Sequence, residues 1–225
     1  MSKTGNIKVL IIDNHPLFIV GLSSLLEKIA NINIIGTADN YSDALKIAEK
    51  ERPTLILMEI RLGKENGLDF IQRLKSITTE SVILIISIFD ERLYAERILR
   101  LGARGYVLKT ESTDTIMEAI NTVLNKKIYL SGNERERIFH SATEPTDNEL
   151  KEGWTTSMQK LSNRELQIFS LAAKGLGTCE IAAKLKLSNK TIDSHKEHIK
   201  KKLHFKSAQE LRQRAIEWAN HSVAL

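Results

Sequence analysis

The stretch Lys8-Val9-Leu10-Ile11-Ile12-Asp13-Asn14-His15-Pro16-Leu17 decides the reading of the first half of the chain. Val9 to Ile12 is aliphatic without polar alternation, as in a strand covered on both faces. Asp13-Asn14-His15 reads as a polar turn. Pro16 then opens a helix, because its fixed φ and missing N–H suit a first helical position. Working outward, the pattern recurs. It predicts strands over 8–12, 32–38, 55–59, 81–87 and 105–108, and helices over 16–28, 42–51, 68–76, 92–101 and 113–125. Strands separated by helices need parallel crossovers, so the expected fold is α/β, a doubly wound sheet of five parallel strands. Ligand chemistry then belongs at the carboxyl ends of those strands, where Asp13, Asn14, Glu59, Ser87 and Lys109 fall.

The 225 residues are 42% hydrophobic and 27% charged, which excludes a mainly disordered chain. The longest aliphatic runs, Val9–Ile12 and Val82–Ile86, are far shorter than the ~18 apolar residues of a bilayer span. The amino-terminal residues lack the apolar core of a secretory signal, so a cytoplasmic location without a membrane partner is expected. A single cysteine, Cys179, excludes an internal disulfide and a thiolate zinc site. It is expected to be an inert small hydrophobe.

Charge is unevenly spread. From Lys160 onward lie 13 of the 33 Lys and Arg but only 6 of the 28 Asp and Glu. Positive charge concentrated on a short segment favours polyanions, of which nucleic acid is the commonest.

Between the two parts, 131–156 is rich in Ser, Thr, Asn and Glu, with Pro145 and Gly153, and reads as a connector. One short helix around 134–140 and a docking role for Trp154 are candidate features. Beyond it, helices are predicted over 164–174, 179–185, 190–203 and 208–220. They are broken by Gly175-Leu176-Gly177, by the N-cap Ser188 and by the N-cap Ser207. In 190–203, Ile192, Ile199 and Leu203 share one face, and the short preceding helix offers Ile181, Ala182 and Leu185 against it. This is a helix-turn-helix layout whose second helix can enter a major groove ~12 Å wide. Its exposed amino-terminal side chains would reach base edges, with Lys190 and Thr191 at its start. Thr191, Lys196, Lys200 and Lys201 would lie near phosphates. His195 and His198 read as packing or hydrogen-bonding residues, since no third metal donor accompanies them. Leu211, Ala215, Trp218 and Ala219 either close the small core or pair two copies.

Leu161-Ser162-Asn163-Arg164-Glu165, Gly175-Leu176, Glu180-Ile181-Ala182, Leu187-Ser188, Lys190-Thr191-Ile192-Asp193-Ser194-His195, Ile199 and Lys202-Leu203 closely resemble the LuxR-type helix-turn-helix over about 60 residues. The resemblance implies base reading at Asp193, Ser194 and Glu197, and a final helix that helps pair two protomers. The carboxylates of Asp193 and Glu197 could accept from cytosine N4 or hold neighbouring lysines. Asp13-Asn14-His15-Pro16-Leu17, Gly67-Leu68 and Gly102-Ala103-Arg104-Gly105-Tyr106-Val107-Leu108-Lys109 resemble the receiver domain of two-component response regulators. Together the two parts resemble the NarL/FixJ subfamily. The fold this implies is flavodoxin-like, with a receiver over 1–127, a linker over 128–158 and a four-helix DNA-binding domain over 159–225.

The resemblance also implies an aspartate phosphorylated with the help of a divalent metal, gripped by a Ser or Thr and a lysine, with Tyr106 as the switch aromatic. This chain departs from that pattern. Glu59 stands at the acceptor position, reaching one methylene, ~1.5 Å, too far for a transfer sensitive to ~1 Å. Asn14 replaces a metal-binding acid, leaving at most weak Mg²⁺ at Asp13. Gly63-Lys64 replaces a Pro-Gly pair. A Glu59–Lys109 ion pair would close the pocket without metal. Glu59 then either imitates the phosphorylated state or is a degenerate residue in a domain kept for dimerisation.

The expected function is a DNA-binding transcription regulator that acts without aspartate phosphorylation. The expected partners are double-stranded DNA and a second copy of the chain, with RNA polymerase or a regulatory protein as further candidates. No cofactor and no enzymatic activity are expected. The alternatives are a receiver still phosphorylated or controlled by a ligand or partner, or an interaction module whose helical domain docks on protein.

Overall fold

The structure is a computed structural model that describes residues 6–62, 65–143, 158 and 160–220. The chain divides into two compact units, Met1–Thr143 and Glu144–Leu225.

In the first unit, β1 (Ile7–Ile12), β2 (Ile32–Ala38), β3 (Leu55–Met58), β6 (Val82–Ser87) and β7 (Gly105–Leu108) form one parallel sheet in the order β2-β1-β3-β6-β7. Helices α1 (Pro16–Leu26), α2 (Tyr41–Glu51), α3 (Gly67–Ile77), α4 (Glu91–Arg100) and α5 (Thr113–Leu124) make the crossovers. This is the flavodoxin-like order, and its direction reverses between β1 and β3. Val9, Leu10, Ile11 and Ile12 are all buried, as the unbroken aliphatic run requires of a strand covered on both faces. One cluster joins Val9, Ile11, Leu55, Leu57, Leu84, Ile86 and Val107 to Leu22 and Leu26 of α1 and to Ile116, Ala119, Ile120 and Val123 of α5.

A short antiparallel ribbon of β4 (Arg61–Leu62) and β5 (Glu65–Asn66), absent from the sequence reading, follows β3. Two-residue strands carry too little periodicity to be seen in sequence. The Gly63-Lys64 departure lies outside the described residues. Gly67 follows the ribbon because no side chain fits there. A Cβ would stand 2.3 Å from the carbonyl oxygen of Ile60 and 2.7 Å from the Tyr41 hydroxyl.

Part of the expected connector belongs to the first unit. Tyr129 bridges Gly105, accepting from the Tyr106 N–H at 3.0 Å and donating to the Arg104 carbonyl at 3.0 Å. The short helix expected at 134–140 is α6 (Gly132–Thr143), which packs on α4. Trp154 lies outside the described residues.

The second unit holds four helices among the described residues: Asn163–Ala173, Thr178–Leu185, Asn189–Leu203 and Ala208–Asn220. Ser162 and Glu165 form a capping box on the first. Ser188 caps the third by accepting from the Thr191 N–H, and Ser207 accepts from the Glu210 N–H at 3.0 Å. Of the two glycines in the first break, Gly175 has positive φ, at +83°. Among the described residues, no helix is long and apolar enough to cross a membrane.

Candidate functional site

At the carboxyl edge of the sheet, strand ends bring Asp13, Glu59, Ser87 and Lys109 together. Asp13 continues β1 and is fixed by its N–H to the Ala38 carbonyl at 2.9 Å. Glu59 follows β3, donating its N–H to the Ile12 carbonyl at 2.9 Å, while its own carbonyl accepts from the Tyr41 hydroxyl at 3.2 Å. Ser87 ends β6, and the Lys109 N–H donates to the Ser87 carbonyl at 2.8 Å. Backbone pairing therefore sets the spacing of all four side chains.

The polar ends close on one another. Lys109 Nζ lies 2.5 Å from Asp13 Oδ2 and 3.1 Å from Glu59 Oε2. The Ser87 hydroxyl donates to Glu59 Oε1 in a short hydrogen bond, and the Arg61 N–H reaches the same oxygen at 3.3 Å. Lys109 also sits 4.6 Å above the Phe18 ring. The side chains of Asp13, Glu59 and Lys109 are 2%, 1% and 7% exposed, so these attractions act at low effective dielectric. The direct Glu59–Lys109 pair anticipated from the sequence is present, and Lys109 binds Asp13 as well.

Asn14 does not join the cluster and is exposed. His15, given no separate role in the sequence reading, does join it. Its N–H donates to Asp13 Oδ1 at 2.9 Å, and its Nδ1 lies 3.0 Å from that oxygen and 3.2 Å from Lys109 Nζ. The divalent cation implied by the resemblance finds a donor set that does not fit it. Both carboxylates already hold an ammonium, and Asn14 offers an exposed neutral amide. Among the described residues, no three His, Cys, Asp or Glu side chains gather as ligands.

Tyr106 is fully buried, its hydroxyl donating to the Phe89 carbonyl at 2.7 Å. Its ring stacks with Tyr94, whose edge meets Phe89. Burial pushes the phenol of Tyr94 up to about 12, and that of Tyr106 well above its ordinary range, so both stay protonated. Phe89 also donates its N–H to Ser87 Oγ at 3.3 Å. A continuous set of contacts thus runs from Glu59 through Ser87 and Phe89 to Tyr106.

In the second unit, Ile192, Ile199 and Leu203 are buried on the helix Asn189–Leu203, as their spacing required. Lys190, Asp193, Ser194, Glu197 and Lys201 are exposed, and Thr191, Lys196 and Lys200 are half-buried. Lys190, Ser194 and Lys201 make no side-chain hydrogen bond or ion pair among the described residues. The others are engaged locally. Lys196 Nζ donates to Thr178 Oγ1 at 2.8 Å, which donates to Asp193 Oδ1 at 3.2 Å, fastening this helix to the preceding one. Burial lowers the Lys196 ammonium below its usual range, partly countered by Asp193. Glu197 pairs with Lys200 at 2.8 Å. Thr191 Oγ1 meets the Ser188 hydroxyl at 2.8 Å. Thr178 escaped the sequence reading because its partners stand 15 and 18 residues away.

Cys179 is exposed rather than buried, with the Asn189 amide 3.5 Å from its Sγ. It sits in the helix's first turn, away from the face carrying Ile181 and Leu185. Burial, with Arg164 nearby, lowers the His195 imidazole. His198 Nδ1 stands 4.0 Å from Glu165. On the last helix, Leu211 and Ala215 are buried and Trp218 meets Phe169 edge-on, so this stripe closes the core of its own unit.

The response regulator receiver domain matches residues 9–121, and the luxR family of bacterial regulatory proteins matches residues 159–215. The transcriptional regulatory protein MctR of Rhizobium johnstonii is 32% identical over 203 residues, covering 90% of each chain. The oxygen regulatory protein NreC of Staphylococcus aureus is 32% identical over 210 residues, covering 93% of this chain and 96% of NreC. RcsB of Salmonella enterica serovar Typhimurium, in a structure bound to promoter rprA with the phosphomimetic BeF3⁻, aligns at a TM-score of 0.62. That alignment covers 93% of this chain and 98% of RcsB at 23% identity, a likeness of fold.

Proposed function

This chain belongs to the response regulators that join a receiver domain to a luxR-type helix-turn-helix, a family of DNA-binding transcription regulators, and we propose that it acts without phosphorylation of its receiver. The observation that carries this reading is the engagement of Glu59 by both Ser87 and Lys109. Those two groups would otherwise grip an incoming phosphoryl group. Here a carboxylate of the chain holds them, with its reacting oxygens about one methylene, ~1.5 Å, beyond an aspartate's. The inward, hydrogen-bonded Tyr106 and the contact between Ser87 and Glu59 support imitation of the phosphorylated state over a merely degenerate pocket.

The functional limits we assign are a receiver over 1–127 with 128–143 docked on it, a linker that runs on to 158 and a DNA-binding domain over 159–225. In the last, Lys190 stands at the start of the recognition helix, Thr191, Lys196, Lys200 and Lys201 contact phosphates, and Asp193, Ser194 and Glu197 face base edges. Asp193 and Glu197 chiefly hold Thr178, Lys196 and Lys200 in place, leaving Ser194 as the direct reader. Two copies bind inverted half-sites of double-stranded DNA in the cytoplasm, with RNA polymerase or a regulatory protein as a further partner.

The test is retention of a promoter duplex by the full chain. Binding is expected as isolated, unchanged by a small phosphodonor with Mg²⁺. A tenfold gain on that treatment would contradict the reading.

A further inference from the structure

Among the described residues, the buried charges around Glu59 sum to zero. Asp13 and Glu59 contribute two negative charges and Lys109 one positive charge. The remaining positive charge is Arg61, 9% exposed and the one arginine buried among the described residues. Its backbone N–H donates to Glu59 Oε1 at 3.3 Å, and its guanidinium carbon lies 4.7 Å above the Phe89 ring. Burial lowers its pKa from the ordinary guanidinium range, with Tyr94 and Glu59 acting in the opposite sense, and a guanidinium stays charged under such a shift. Asn14 and His15, also at this edge, are exposed.

Arg61 is an expensive residue for this place. Among the described residues its Nη1 is buried with no hydrogen-bond acceptor, and a methionine would cover Phe89 without desolvating a charge. What an apolar side chain would not supply is a positive charge within Coulombic reach of Glu59, which the guanidinium supplies without forming an ion pair with either carboxylate. We propose that Arg61 is a resident cation that replaces a divalent metal at this pocket, a positioning residue that neutralises the buried carboxylates from within the chain. With Arg61 present, adding a dication would leave two uncompensated positive charges at low dielectric; without it, the set carries one negative charge and attracts the ion.

The inference rests on the closed pocket of the proposed function. Thermal melting of the full chain in MgCl2, against NaCl at matched ionic strength and with no phosphodonor, tests Arg61 separately. Phosphoryl uptake by the wild type would end the earlier reading and leave this comparison intact. The wild type and Arg61→Lys are expected to shift by less than ~1 °C with Mg²⁺, and Arg61→Met to gain about 4 °C. A wild type that gains as much as Arg61→Met, or an Arg61→Met protein as indifferent as the wild type, overturns the proposal. Should Arg61→Met fail to fold, Asn14→Asp with Arg61 in place decides. A Mg²⁺ shift below about 2 °C upholds the role of Arg61, and a larger one assigns the metal block to Asn14 and overturns it.

Discussion

The receiver pocket and the recognition helix use the same kinds of side chain, lysine, carboxylate and serine, to opposite ends. In the pocket, Lys109 is 7% exposed and bridges two buried carboxylates. On the helix, half-buried Lys200, 17% exposed, pairs with Glu197, which is 58% exposed, and Lys190, Ser194 and Lys201 are exposed and carry no partner among the described residues. Burial makes the difference. A buried pair is screened little by salt and is costly to break from one side, whereas an i,i+3 pair whose carboxylate stands in solvent is worth little and yields its lysine to a phosphate. The charged groups of the pocket are therefore engaged mainly by their own chain, and the helix is left available to a ligand.

The largest effect that would break this comparison is on stability. Lys109→Met leaves two buried carboxylates with one internal cation fewer, and denaturant unfolding should show a loss of about 3–5 kcal/mol in the first unit. Lys200→Ala, measured the same way, should cost under ~1 kcal/mol. Equal costs would erase the distinction. On DNA the order reverses. Lys201→Ala should weaken binding to all duplexes alike, by about tenfold, and reduce the slope of log affinity against log salt by about 1. Ser194→Ala should instead alter preference between duplexes by about 1 kcal/mol, read by competition in mobility shifts. Tyr106→Phe removes the hydrogen bond to the Phe89 carbonyl and should cost the first unit about 1 kcal/mol.

The smallest effect concerns acid. Burial raises the Glu165 carboxyl, but hydrogen bonds from Lys202 and Ser162 outweigh it, and the net pKa lies below the ordinary 4.5. A folded-state pKa below the unfolded one adds stability that is complete above the unfolded value and lost as pH falls through the folded one. Melting of the second unit below about pH 4.5 should therefore decline less steeply in Glu165→Gln. Identical acid limbs would remove Glu165 from the account.

The parallel sheet was legible because Val9–Ile12 and Val82–Ile86 carry no polar alternation and each is followed by a helix signal. The recognition helix was legible because Ile192, Ile199 and Leu203 repeat at helical spacing. The paired strands at Arg61–Leu62 and Glu65–Asn66 were not, since so short a segment has no period. Of the pocket, Asp13, Glu59, Ser87 and Lys109 could be read from their positions after strands. His15 and Arg61 could not be given roles, because their contacts depend on turn geometry. A signal for Arg61 existed all the same: it is a lone charge two residues after Glu59, between Ile60 and Leu62. The docking of 129–143 on the first unit depends on the Tyr129–Gly105 bridge and on the Ser131 N–H donating to Glu91, pairings that composition conceals.

The central claim is that Glu59 cannot accept a phosphoryl group. Intact-mass measurement of the full chain after incubation with a small phosphodonor and Mg²⁺ tests it most directly. The account predicts an unchanged mass; an adduct of one phosphoryl group that disappears in Glu59→Gln would contradict it.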